Sequence, residues 1–437
     1  RLRTVKYWFN IIILHTERES TMKPLKHTFL IISLLFLLSS FDFFTINTSA
    51  SETSQPPVCY VRFSGTGLGI YADPSLAGEP IVVLPDGTYV QLLSGPADFL
   101  ARIRICDTGL EGYTDMRYLK RLDAIVYDCD TYTYEEMQED ISQLQARYPG
   151  LFHANITGQS TDGRNLYELI LGNSSASKSI LIHAGIHARE YINPYLVMEQ
   201  LEQLLECYEC GSFHGRVYRE LLDGVAVHIV PMVNPDGIAV SQFGESGLRS
   251  PELVQTLQAC YAYDTASGRT KSSYADYLAR WKANARGTDL NKNFVTGFGS
   301  DAKTLLPSYA GYPGTAPFTE PETLSLGAVT LMCRPSVIIS YHSMGEVAYW
   351  NTKESRYTGI NAEFSSYMLS LVPYKRMGSG TASGSYLDWI YSGDNPVCSV
   401  TFETGNAECP FTYEQYPKIW LQHSLVMQAA MEYAYTH

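Results

Sequence analysis

The chain has 437 residues, enough for two domains and a targeting segment, and its 45% hydrophobic and 18% charged content excludes a disordered or fibrous protein. The formal net charge is −13, and residues 1–50 carry six basic against three acidic residues, so the remainder is more acidic still. Such a surface repels nucleic acid and anionic lipid, and neither is expected as a partner.

Residues 1–21 precede Met22 and are read as upstream sequence. Over 22–50, a short basic stretch (Met22 to His27) leads into an apolar run (Phe29 to Phe41) and then the small residues Thr48-Ser49-Ala50. That order is a secretory signal peptide. Its apolar part is shorter than the roughly 20 residues that span a bilayer, so no stable membrane span is expected after cleavage; an uncleaved anchor is the alternative. The mature protein is expected to be secreted, extracellular or associated with a cell wall. All nine cysteines lie beyond this segment. Export permits disulfides, and an odd count leaves at least one thiol unpaired. Cys207 and Cys210 have C-x-x-C spacing, but no second such pair exists to make a zinc ribbon. The pair also closes a helical stretch, where a redox motif would open one.

Short strands with turns fill 58–122: Tyr60 to Phe63, Gly69 to Tyr71, Pro80 to Leu84, Thr88 to Leu93, Ala101 to Ile105 and Glu111 to Thr114. Pro85-Asp86-Gly87 between two of them reads as a hairpin turn. No helical period of useful length occurs, so a small all-β barrel is expected. Its Leu-Pro-x-Gly-Thr turn and late Gly-Tyr strand resemble bacterial Src-homology-3-type barrels, which implies a cell-wall ligand; a structural cap without ligand is the other reading.

From Tyr127 to His437 the pattern is α/β. Thr133-Tyr134-Glu135-Glu136 opens an amphipathic helix carrying Met137, Ile141 and Leu144, with Thr133 as N-cap. Apolar strands follow at 179–184, 225–233, 336–341 and 396–402, interleaved with helices at 194–207 and 418–435. This predicts one domain over 127–437, a mixed and largely parallel sheet of the eight-stranded type flanked by helices.

Polar clusters stand where those strands end. His187 and Glu190 follow the first, Asn234-Pro235-Asp236-Gly237 the second, His342 the third and Glu403 the fourth. Binding sites in open α/β sheets form outside the carboxyl ends of strands, so the four loops can converge on one pocket. An i, i+3 pair such as His187 and Glu190 is common by chance. A catalytic zinc needs three protein ligands and an open position, and His342 is the best third candidate. His183 and His228, inside strands, read as core or supporting histidines, while His153, His214 and His423 show no partner pattern.

The run Leu181-Ile182-His183-Ala184-Gly185-Ile186-His187-Ala188-Arg189-Glu190-Tyr191 resembles the zinc motif of the carboxypeptidase A family of metallopeptidases. Asn234 to Gly237, Gly287 to Phe294, Ser340 to Ser343 and Thr401 to Gly405 resemble the family's other segments in order. The resemblance implies one Zn2+ per chain held by His187, Glu190 and His342, with Glu403 as general base and acid. It further implies that Arg189 contacts substrate and that Asn291 and Lys292 stand where an Asn-Arg pair grips a terminal carboxylate. Lys282, after Trp281, takes the place of an arginine that supplies the oxyanion donor, with Arg286 as a substitute. A mobile family tyrosine aligns with Gly380, for which Tyr386 or Tyr391 could compensate. Asp388 could meet a cationic side chain or serve as a buried structural carboxylate.

Bacterial members with an attached wall-binding barrel cut peptidoglycan stem peptides between γ-D-glutamate and a diamino acid. The resemblance therefore implies a zinc-dependent metallocarboxypeptidase-family hydrolase acting on cell-wall peptide. Removal of C-terminal residues from ordinary peptides is the enzymatic alternative, and a wall-binding pseudoenzyme the non-enzymatic one. The presence of all three ligands and the carboxylate argues against the last.

Overall fold

A computed structural model of the protein describes residues 55–351, 358–378, 382–394 and 397–437. Residues 1–21, the expected signal segment 22–50 and Gly380 lie outside these residues. Residues Gln55–His437 make one compact unit, and no helix among the described residues is long and apolar enough to cross a membrane.

The N-terminal strands are β1 (Val58–Val61), β2 (Leu68–Ile70), β3 (Val82–Leu84), β4 (Tyr89–Leu92), β5 (Leu100–Ile105), β6 (Glu111–Asp115) and β7 (Leu119–Arg121). Five form a sheet in the order β6-β5-β4-β1-β7, and β2 and β3 pair separately. The expected hairpin at Pro85-Asp86-Gly87 does not form. The strands it joins belong to different sheets: β3 pairs with β2 and β4 with β1. The turn instead folds onto β1, where Gly87 N donates to Val61 O at 2.8 Å and Val61 N to Thr88 O at 3.0 Å.

Eight strands build the main sheet: β8 (Phe152–Gln159), β9 (Asn165–Leu171), β10 (Lys178–His183), β13 (Val225–Val230), β14 (Val337–His342), β15 (Val347–Tyr349), β16 (Lys375–Met377) and β17 (Cys398–Glu403). The two-residue strands β11 (Ser212–Phe213) and β12 (Arg216–Val217) pair only with each other. Order across the main sheet is β16-β15-β17-β14-β10-β13-β9-β8. The centre is parallel (β13, β10, β14, β17) and the flanks bring in antiparallel pairs, so the sheet is mixed as expected. The central strands are buried along nearly their whole length because helices cover both faces, which is why they read as unbroken apolar runs.

Thr133 caps the helix Tyr134–Arg147 through a capping box with Glu136, and Met137, Ile141 and Leu144 are its buried face. The helix Ile192–Glu206 is buried on nearly all sides, and its Gln200 donates through Nε2 to His423 O and Tyr341 Oη. That bond marks a second correction. The closing helix is two helices, Tyr416–His423 and Val426–Thr436, broken at Ser424-Leu425 just after the carbonyl that Gln200 engages.

Buried charges join the N-terminal sheet to this helix. Arg62, after β1, pairs with Glu199 and, at 2.8 Å, with Asp128. Lys120 of β7 reaches Asp128 at 3.0 Å and Glu199 at 3.6 Å. Glu202 accepts from the backbone N–H groups of Ile125 and Val126. Each ion here has several partners, the condition under which a charge tolerates removal from water.

Candidate metal centre and active site

The parallel register places the site. His183 ends β10 opposite Ser340 of β14, and two residues farther on His342 pairs with Glu403 of β17, so the strand ends lie along one edge of the sheet. Beyond β10 the chain turns sharply at Gly185, whose φ is +65°. A Cβ there would lie 2.9 Å from Pro194 Cγ and 3.0 Å from Ile238 Cδ1, so only glycine allows this close approach. Asn234 staples the turn: its Nδ2 donates to Ile186 O and Ala283 O, and its Oδ1 accepts from Gly237 N, capping the next helix. Ala188 N donates to Lys282 O, which ties the Lys282 segment to the same loop.

His187, Glu190 and His342 converge. All three are buried, and one potential ligand atom from each lies within 4.8 Å of the others. His187 Nδ1 is 2.9 Å from Glu190 Oε1 and 3.1 Å from His342 Nδ1, and His342 Nδ1 is 3.2 Å from Glu190 Oε2. Two ring nitrogens facing each other beside a buried carboxylate present electron pairs to one point, an arrangement that calls for a cation. Donor atoms on one tetrahedral zinc lie about 3.3 Å apart, given zinc–ligand bonds of about 2.0–2.1 Å. The observed separations match that spacing, so the donor set fits zinc.

Neighbouring groups fix each ligand. Glu190 Oε2 accepts from Ser343 N at 3.1 Å. Asn193 bridges Ser343 Oγ and Thr404 Oγ1, and Thr404 N donates to His342 O at 2.8 Å, locking the ends of β14 and β17 together. Behind His187, Asp289 Oδ1 lies 3.4 Å from Nε2. Burial works against ionisation of Asp289, yet Lys282, His187 and Lys292 hold its carboxyl well below the usual carboxylate range. A carboxylate on the far nitrogen of a ligand histidine sets its tautomer and raises its basicity. Sequence reading missed Asp289, although it lies within the Gly287–Phe294 segment, three residues before Lys292. Asp289→Asn is expected to weaken zinc binding about 10- to 100-fold with little change in fold, as measured by competition with a chromophoric chelator.

Glu403 ends β17 beside His342. Burial pushes its carboxyl up to about 7, with Glu190 pushing the same way, against the pull of His342, Lys282 and Arg189. Arg189 is half-buried, and its Nε has no hydrogen-bond partner among the described residues. Lys282 Nζ is 3.8 Å from Asp289 Oδ2, next to the metal cluster. Arg286 is half exposed and paired with Glu320 at 3.7 Å, so of the two oxyanion candidates the structure brings only Lys282 to the cluster.

The remaining sequence candidates each have partners within the chain, and of them Lys292 lines one cavity with Lys282 and Asp289. Asn291 Oδ1 accepts from Tyr386 N at 2.9 Å, and Lys292 Nζ donates to Asp301 Oδ2 at 2.9 Å. Tyr386 is buried with its hydroxyl on Thr330, and Tyr391 is buried with its hydroxyl on Ser399 O and Trp350 O. Neither can stand in for a mobile tyrosine. Asp388 is structural: its Oδ2 accepts from Ser383 N and from Ser385 N and Oγ, boxing the start of the helix Tyr386–Ser392. His183 bonds Ser340 Oγ at 2.7 Å, and burial lowers its pKa to about 3, so it supports the sheet as a neutral ring. His228 pairs with Glu168 at 2.8 Å. His214, for which the sequence shows no partner pattern, lies 3.1 Å from Glu432. All nine cysteines are free thiols.

Comparison with known proteins gives the same reading of the core. Residues 137–423 match the zinc carboxypeptidase family. A Bacillus subtilis protein, YqgT, is 25% identical over 74% of this chain and 83% of its own. The γ-D-glutamyl-L-diamino acid endopeptidase 1 of Lysinibacillus sphaericus is 27% identical over 66% of this chain and 69% of its own. The crystal structure of carboxypeptidase A from Helicoverpa armigera superposes with a TM-score of 0.50 at 14% identity, covering 86% of this chain and 98% of that one. That likeness concerns the fold.

Proposed function

Because the chain belongs to the zinc carboxypeptidase family, we propose that this zinc metallopeptidase cleaves peptidoglycan stem peptides between γ-D-glutamate and a diamino acid. Convergence of His187, Glu190 and His342 beside Glu403 carries the hydrolytic part of the reading. The wall substrate is supported by the likeness to an endopeptidase of that name, by the N-terminal β-sheet unit outside the family match, and by lysines at 282 and 292. The signal-like segment 22–50 fits export to such a substrate.

In this reading His187, Glu190 and His342 hold the zinc. When bound, zinc lowers the pKa of a water molecule to about 7 and polarises the scissile carbonyl. Glu403 accepts the water proton on its carboxylate and returns it to the departing nitrogen. Lys282 offers its ammonium to the developing oxyanion, as a point charge in place of a bidentate fork. Arg189 holds the substrate through its guanidinium. Asp289 keeps His187 in the tautomer that leaves Nδ1 free to bind metal.

Incubation with defined muropeptides, alongside N-blocked dipeptides with free C-termini, tests the substrate. Release of the diamino acid from the muropeptide is the expected result. Cleavage of the dipeptides alone would overturn the wall reading in favour of an ordinary exo-carboxypeptidase.

A further inference from the structure

A cavity of about 470 Å³ opens beside Lys282 and Asp289, and its charged walls are Arg269, Lys282, Lys292, Lys303, Asp289 and Asp301. Four cationic side chains thus face two carboxylates. The carboxylates differ in kind. Asp289 is buried and committed, to His187 on one oxygen and to Gly311 N at 3.0 Å on the other. Asp301 is 44% exposed at its side chain and is held between two ammonium groups, Lys292 at 2.9 Å and Lys303. Arg269 is engaged by Asp264 at 2.8 Å and by the carbonyls of Lys303 and Ala310, so it shapes the wall. Lys292, 14% exposed, therefore faces the cavity already neutralised by a residue of the chain itself.

We infer that Asp301 is a specificity-determining residue: an internal counter-ion occupying the place on Lys292 that a free carboxylate on the departing part of a peptide would take. This rests on the peptidase reading above and deepens it by naming the group the cavity discriminates. A substrate bearing that carboxylate must displace Asp301 from Lys292, whereas one whose carboxyl is an amide need not. The anchoring of the loop favours this role over a purely structural one. Ser300 N donates to Gly297 O, Lys303 N to Gly311 O and Ser300 Oγ to Ala382 O, so the loop is fixed without the Asp301 side chain.

The test compares wild type with Asp301→Asn in the full zinc-loaded chain, on L-alanyl-γ-D-glutamyl-L-lysine and on the same tripeptide with a C-terminal amide. Ion pairs with an exposed partner are weak, so removal of the competing charge should lower KM for the free acid by roughly two- to fivefold. Turnover number and the KM for the amide should stay unchanged. The gain should shrink as salt is raised, and Asp301→Glu should restore wild-type discrimination. An equal change on both substrates, or none, overturns the inference. If the wild type cleaves neither tripeptide, the peptidase reading on this substrate fails. Calorimetric binding of the same two peptides to Asp301→Asn and wild type then still decides on Asp301, since the acid-to-amide affinity ratio must rise in the variant.

Discussion

Replacing His187 by alanine is expected to strip zinc from the protein and to lower turnover by more than about a thousandfold. The geometry gives the reason. Catalytic zinc takes three protein ligands, and here His187 and Glu190 come from one loop while His342 comes from the end of β14. Removal of His187 leaves one carboxylate and one imidazole, too few to retain the ion through dialysis. It also removes the group facing Oδ1 of the buried Asp289. Metal content by plasma mass spectrometry, measured with activity and the thermal transition, checks the prediction. Stoichiometric zinc and unchanged activity in His187→Ala would overturn the assignment of the metal centre.

Glu403→Gln should give the opposite signature, full zinc with little turnover. An amide keeps the size and one hydrogen-bonding oxygen of the carboxylate but cannot take or give the proton, and general acid–base groups contribute about 10²–10⁴-fold. The loss should fall on kcat. The pH profile follows from the same group. The reaction needs Glu403 ionised at the start, so activity rises with pH through its pKa. Burial pushes that pKa up to about 7, and a divalent cation beside it draws it back down. An acid limb below neutrality is therefore expected in wild type and should vanish from the residual rate of Glu403→Gln. An unchanged acid limb in the variant would assign the proton transfer to another group.

The features that sequence conveyed well are those settled by local chemistry. Thr133 and Glu136 stand three apart and make their capping box with no outside help. The apolar runs of β10, β14 and β17 reflect burial on both faces, so their ends, and the polar residues just beyond them, were visible. Asp388 was ambiguous, although Ser385 three residues before it forms the same kind of box. The failures depend on distant partners. Pro85-Asp86-Gly87 does reverse the chain, but turn chemistry cannot say which strand will lie alongside. Between Lys418 and Tyr435 no glycine or proline marks a break; the interruption comes where Gln200, more than two hundred residues earlier, takes the carbonyl of His423. Asp289 looked like one polar residue among several until the fold set it behind His187. Asp301 carried no signal at all, because its meaning lies in the two lysines folded around it.

The buried charges between the N-terminal sheet and the helix Ile192–Glu206 bear on how the enzyme would meet the wall polymer proposed as its substrate. That helix begins two residues after Glu190, so the sheet is fastened to the element that follows a metal ligand. A flexible linker would spread the distance between the two over a broad range and dilute each in the neighbourhood of the other. A stiff joint permits one distance only. Whatever is immobilised on the outer face of the N-terminal sheet is thereby held at a fixed offset from the catalytic edge. On the wall substrate proposed above, bonds at that spacing along an anchored strand would meet a high local concentration of active site, and bonds closer or farther would meet almost none.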